Sequence, residues 1–211
     1  MRVRKFSNHR VTGKFPSIKM GRMIYWESRN EEGYYRILDF DPQVKSYQEQ
    51  PFKIAYICTG KKHTYTPDVC VMRHGGQQVI EVKPESELNN AENRMKFEAA
   101  EEYCYEHGYE FKVVSDRQIF TGELVSNLCL LFRYARITFP FEHQIALAEV
   151  LNSFSIMTVA DMSEILKRKL GFDPWPYICG LVYRGVLAAD LRSTPFNFET
   201  EIKSNFKTGA I

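Results

Sequence analysis

Asp68, Glu81 and Lys83 are residues whose types and spacing could do chemistry together. They lie in HTYTPDVCVMRHGGQQVIEVKPE (63–85), where Val69 and Val71 alternate with Asp68 and Cys70, and Ile80 and Val82 with Glu81 and Lys83. A period of two marks a strand. Gly75-Gly76 offers a two-residue hairpin loop, because glycine reaches the positive φ of a primed turn without steric cost. That loop pairs His74 with Gln77, Met72 with Val79, Cys70 with Glu81 and Asp68 with Lys83. Antiparallel partners share a face, so Asp68, Glu81 and Lys83 project from one side and Val69, Val71, Ile80 and Val82 from the other. Any even-length loop keeps this parity. A purely solvated hairpin face has the same pattern.

Pro67-Asp68 and Glu81-Val82-Lys83 together spell PD-(x)n-ExK, and each part has a job in cleaving a phosphodiester. Mg²⁺, or Mn²⁺ in its place, takes hard oxygen ligands in octahedral geometry. Two carboxylates on adjacent strands and the Val82 carbonyl supply part of that shell. The metal polarises a phosphoryl oxygen and acidifies bound water, while Lys83 orients the water or offsets transition-state charge. A third acid is expected from a helix over Met20–Leu38, whose apolar face is Ile24, Trp26, Tyr34, Tyr35, Ile37 and Leu38. Glu31 falls on that stripe and Glu27 on the same side; an acid there is costly without a ligand, though a salt-bridged glutamate fits as well.

The elements that must position these residues follow from pattern and punctuation. Asp41-Pro42 ends the first helix, VKSYQEQP and FKIAYIC read as strands, and TGKKH as a turn. Ser86–His107 reads as a second helix closed by Gly108, YEFKVVS as a strand, and TGELVSNLCLLFRYAR as a third helix. This order predicts an α/β mixed sheet flanked by helices. After Arg136 three short helices and a two-stranded ribbon predict a winged-helix layout, with Thr158 and Asp173 as caps. Its third helix carries Arg184 beside Trp175, Tyr177 and Tyr183, which suits packing or protein contact better than groove reading. The expected division is a basic arm (1–19), a catalytic domain (20–138) and a winged-helix domain (139–211).

Charge is unevenly spread. Residues 1–22 hold seven basic residues and no acid (Arg2, Arg4, Lys5, Arg10, Lys14, Lys19, Arg22), while the remainder holds 21 basic against 26 acidic. A basic arm ahead of an acidic body fits phosphate contact by the arm and cation binding by the body; a solvated terminus fits the charge equally. The chain has no long apolar run and no signal peptide. Its five cysteines include no CxxC pair, so no zinc site or disulfide framework is indicated. A reduced, cytoplasmic protein is expected.

With these residues in view, ESRNEEGYYRILDFDPQVKSYQEQPFKIAY, YTPDV and VIEVKP resemble the endonuclease domain of the TnsA family, subunits of heteromeric transposases related to restriction enzymes. The resemblance spans about residues 20–136 and rests on SxxE, LDFDP, QP, PD and ExK in order. It implies catalytic roles for Glu31, Asp68, Glu81 and Lys83, with Gln50 of QEQP as support or as a strand-end hydrogen-bonding residue. It further implies 5′-end nicking of transposon DNA beside a TnsB-type transposase, with a TnsC-type ATPase contacting the C-terminal domain, where Trp175 and Tyr183 are candidate docking residues. A stand-alone restriction or repair nuclease, or an inactive DNA-binding adaptor, are the competing readings.

Overall fold

The computed structural model describes residues 11–58 and 60–206. By backbone contacts the chain divides into two units after Phe120.

The first unit opens with an antiparallel hairpin, β1 (Gly13–Pro16) and β2 (Met23–Trp26), followed by α1 (Arg29–Phe40). The helix expected from Met20 therefore begins nine residues later. Ile24 and Trp26 are buried while Met23 and Tyr25 are exposed, which is the period of a strand. Ser28 then caps the helix by accepting the Glu31 N–H. Gly33 costs the helix propensity but allows close approach: a Cβ there would lie 3.0 Å from Ile119 and Phe120 side chains.

Next come β3 (Val44–Glu49), β4 (Ile54–Cys58), β5 (Lys61–Tyr65), β6 (Val69–Arg73), β7 (Gly76–Lys83), α2 (Ala91–His107), β8 (Glu110–Ser115) and the short α3 (Asp116–Ile119). Four strands form one mixed sheet in the order β3-β6-β7-β8, antiparallel except for the parallel β7–β8 pair, while β4 and β5 pair only with each other. Val69, Val71, Ile80 and Val82 are all buried, as the alternation predicts. This is the expected mixed sheet flanked by helices, consistent with a restriction-endonuclease-like fold.

A clasp ties the first hairpin to the sheet. Buried Asp39 accepts hydrogen bonds from the Ser17 hydroxyl, from the Ile18 and Lys19 N–H groups (3.1 and 3.2 Å) and from the Tyr47 hydroxyl (3.1 Å). Asp41, two residues on, pairs with Arg73 at 2.6 Å. Both acids of LDFDP are thus structural here.

The second unit contains α4 (Leu124–Phe132), α5 (Phe141–Ser153), β9 (Ile156–Thr158), α6 (Val159–Leu170), α7 (Trp175–Tyr183), β10 (Leu187–Ala189) and β11 (Glu201–Ser204). Its sheet has three strands, β10-β11-β9, one more than the two-stranded ribbon expected. Thr158 caps α6 through a reciprocal pair with Asp161. Helix α4 packs against α7, so the structural division falls after Phe120, ahead of the residue-138 boundary read from sequence. No helix among the described residues is long and apolar enough to cross a membrane.

Candidate active site

The β6–β7 hairpin sets the geometry. Its register pairs Arg73 with Gly76 and Val69 with Ile80, which puts Asp68 opposite Glu81 rather than opposite Lys83. The loop is His74-Gly75, and the positive φ falls on Gly76 (131°), not on a central pair. The expected register is off by two residues, and a shift of two preserves the face. Asp68, Glu81 and Lys83 do share one side, as the parity required.

That side is not a solvated surface. Glu81 is 3% exposed, and its Oε1 lies 2.5 Å from Lys83 Nζ, which is 4.0 Å from Asp68 Oδ2. Lys83 Nζ also lies 3.5 Å from the Val82 carbonyl oxygen. Asp68 sits one residue before β6, and its Oδ2 accepts the Val82 N–H at 2.7 Å. The Asp68 carbonyl accepts from Gln50 N–H (2.9 Å) and the Tyr35 hydroxyl (3.2 Å).

Burial and mutual repulsion govern the charges. Desolvation, then the Glu81 charge, pushes the Asp68 carboxyl up to about 8, against the pull of Lys83 and the Val82 N–H. Desolvation likewise raises Glu81, although Lys83 opposes it. Burial draws the Lys83 ammonium down, but Glu81, Asp68 and Glu31 together hold it above the ordinary lysine value. Glu81 Oε2 is buried with no hydrogen-bond partner. An orphaned carboxylate oxygen beside a second desolvated carboxylate is a donor set that fits a small divalent cation.

Glu31 occupies a different setting from the apolar stripe. It is the third residue of α1, where its Oε1 accepts from the Ser28 hydroxyl (2.8 Å) and its Oε2 from the Glu27 N–H (2.9 Å). Its charge bears on Asp68 and Lys83, yet its oxygens are taken by the Ser28 hydroxyl and the Glu27 N–H. Glu27 precedes the helix and accepts from Gln50 Nε2 at 3.0 Å. Among the described residues no group of three or more His, Cys, Asp or Glu side chains stands in position to enclose a metal ion.

Gln50 has φ 44°, the left-handed region that a β-carbon disfavours by about 1–3 kcal/mol. Its N–H holds the Asp68 carbonyl and its amide holds Glu27, so the conformation is fixed from both ends. Tyr35 escaped the sequence reading as a site residue. Its spacing marks it as core, and only the structure shows its hydroxyl on the Asp68 main chain.

Of the basic residues, Arg2, Arg4, Lys5 and Arg10 lie outside the described residues. Lys14 stands over the Tyr25 ring, Lys19 donates to the Leu38 and Asp41 carbonyls, and Arg22 pairs with Glu49 at 2.5 Å. In the second unit Trp175 packs on Phe196 and Phe198, and Tyr183 meets the Phe132 ring edge-on. Arg184 donates to the Ala135 and Ile137 carbonyls and covers the Phe139 ring.

Residues 41–116 match a family model described as TnsA-like endonuclease N terminal. The matched span takes in Asp68, Glu81 and Lys83 and stops short of Glu31. It supports similarity to the TnsA-like nucleases of transposase systems. The chain matches no curated protein.

Proposed function

We propose that this chain is a divalent-metal-dependent DNA endonuclease that nicks the 5′ ends of a mobile element, acting with a TnsB-type transposase and a TnsC-type ATPase. The observation that carries the chemistry is the Asp68–Glu81 carboxylate pair, desolvated and facing across two strands, with Lys83 against it. Asp68, Glu81 and the Val82 carbonyl would hold Mg²⁺ or Mn²⁺, which supplies polarisation of a phosphoryl oxygen and a more acidic water. Lys83, whose ammonium the neighbouring carboxylates stabilise, offers a positive charge towards the phosphoryl oxygens. Gln50 and Tyr35 hold the main chain of Asp68 in place. Glu31, the helix acid of the set, would turn from the Ser28 hydroxyl and the Glu27 N–H to join as a ligand; in place, it adds negative potential to the site.

We read the second unit as a winged-helix module for partner contact, with Trp175 and Tyr183 as docking residues. The inward use of Arg184 favours protein contact over groove reading.

The test is cleavage of end-labelled transposon DNA in Mg²⁺, with and without the transposase. Wild type gives 5′ nicks; Asp68→Ala gives none, and strand joining by the partner then shifts products from simple insertion to a cointegrate type. Clean double-strand excision by Asp68→Ala would sink the catalytic assignment. Efficient nicking of unrelated DNA without the transposase would favour a stand-alone nuclease.

A further inference from the structure

Strands β4 and β5 form a two-stranded ribbon of their own, and its two faces differ sharply. Ile54 and Tyr65, paired in register, are buried against Ala100 of α2, with Phe52, Tyr56, Tyr103 and Phe111 around them. The opposite face carries Ala55, Ile57, Lys62 and Thr64, all exposed, and Lys53 stands exposed just before β4. Ile57 is 70% exposed directly across from Lys62.

Lys53 and Lys62 have no ion-pair partner among the described residues, whereas Arg22, Arg36, Arg73, Lys83 and Lys96 of the same unit all pair with carboxylates. Along the β4 edge, Ala55 and Ile57 border a cleft whose far wall is Glu98, Glu102 and Glu106 of α2, which repel phosphate; Lys53 and Lys62 do not line it. A polyanion is therefore drawn to the side of the ribbon that carries Lys53 and Lys62, away from those glutamates.

The ribbon is also tied to the site. From Tyr65 the chain runs through Thr66 and buried Pro67 straight into Asp68. Tyr65 is buried at the root, where its hydroxyl is raised by burial and then by the charges of Glu81 and Asp68. Lys62 lies six residues before Asp68, about 20 Å along an extended chain, which matches about six base pairs of duplex.

From this we infer that the β4–β5 ribbon is a DNA-tracking arm that lies in the major groove beside the scissile phosphate. Lys53 and Lys62 contact phosphates, and Ile57 faces the base edges. A two-stranded ribbon fits the roughly 12 Å width of that groove, and an apolar side chain there meets thymine methyl groups. This rests on the DNA-endonuclease reading, and it gives that reading a second phosphate contact apart from the basic N-terminal residues.

The experiment measures duplex binding by the full chain in Ca²⁺ against KCl concentration, with nicking of transposon ends in Mg²⁺ and the transposase read on the same proteins. The Lys53→Ala/Lys62→Ala double variant should lower the log–log salt slope by about 1.8, at about 0.9 per phosphate contact. Exposed Lys45, on β3, serves as control, and Lys45→Ala should leave the slope unchanged. Ile57→Ala should narrow the affinity gap between T-rich and G-rich duplexes with the slope intact. If wild type binds and nicks while the double variant keeps its slope, or Lys45→Ala lowers it equally, the ribbon is not the arm although the nuclease reading stands. If wild type neither binds duplex DNA nor nicks transposon ends with the transposase present, the nuclease reading fails and the arm with it.

Discussion

Replacing Asp68 by asparagine should stabilise the metal-free protein at alkaline pH while abolishing cleavage. The carboxyl sits near 3.8 in the unfolded chain and about 8 in the fold, so between those values the folded state binds more protons. Stability is then full below about pH 4 and is lost as pH rises towards and through 8. A difference of that size is worth about 5–6 kcal/mol at full ionisation, at 1.36 kcal/mol for each tenfold step. Asparagine keeps an oxygen for the Val82 N–H and removes the repulsion with Glu81. Urea denaturation in EDTA should therefore place Asp68→Asn about 2–5 kcal/mol above wild type at pH 8.5, with the gap closing by pH 4. Mg²⁺ narrows the gap: wild type gains about 2.7 kcal/mol at a hundredfold excess over Kd, and the variant gains little. An asparagine variant less stable than wild type in EDTA at pH 8.5 would refute the reasoning, as would a gap independent of pH.

Three further outcomes follow from particular contacts. Lys83→Ala strands the buried Glu81 charge and should cost about 3–5 kcal/mol at pH 8, and less as the pH falls, because burial makes Glu81 readier to take up a proton; a loss independent of pH in urea melts would contradict this. Ser28→Ala removes the cap of α1 and one partner of Glu31, so thermal melts should show a loss of about 1 kcal/mol. Gly122 has φ 66° and a Cβ there would lie 2.3 Å from the Arg192 carbonyl oxygen, so Gly122→Ala should lower the stability of the second unit by more than about 1 kcal/mol, with amide exchange near Asp68 unchanged.

The shared face of Asp68, Glu81 and Lys83 was legible in the sequence because parity is robust. Any even loop brings Asp68, Glu81 and Lys83 to one face, so a register error of two residues left the assignment intact. Depth was not legible: period two gives sides, while the burial of Glu81 depends on tertiary packing, including β8, whose Val113 pairs with Glu81 from 32 residues away. The helix start was misplaced because apolar Ile24 and Trp26 fit both periods over so short a span. The Ser28–Glu31 pair, already present in SxxE, held the cap signal that fixes the boundary. Gly108, at φ 72°, ends α2 where expected, since local chemistry alone decides a left-handed stop. The self-contained ribbon of β4 and β5 was hidden because strand patterns do not say which strands pair.

The mixed pairing around β7 also orders events in time. Its antiparallel neighbour β6 is joined to it by a two-residue loop, whereas parallel β8 arrives only after the whole of α2. A hairpin closes in about 1–10 μs, but Ser115 leaves the ribosome 32 residues after Lys83, a delay of about 2–6 s at 5–20 residues per second. Through that interval Asp68 and Glu81 face each other in water, where their repulsion is cheap. When β8 arrives, Val113 pairs with Glu81 and closes that side of the site to solvent. The electrostatic cost of the site therefore falls on the last step of assembling this unit, and mild acid or a divalent cation should speed that step while leaving hairpin closure untouched.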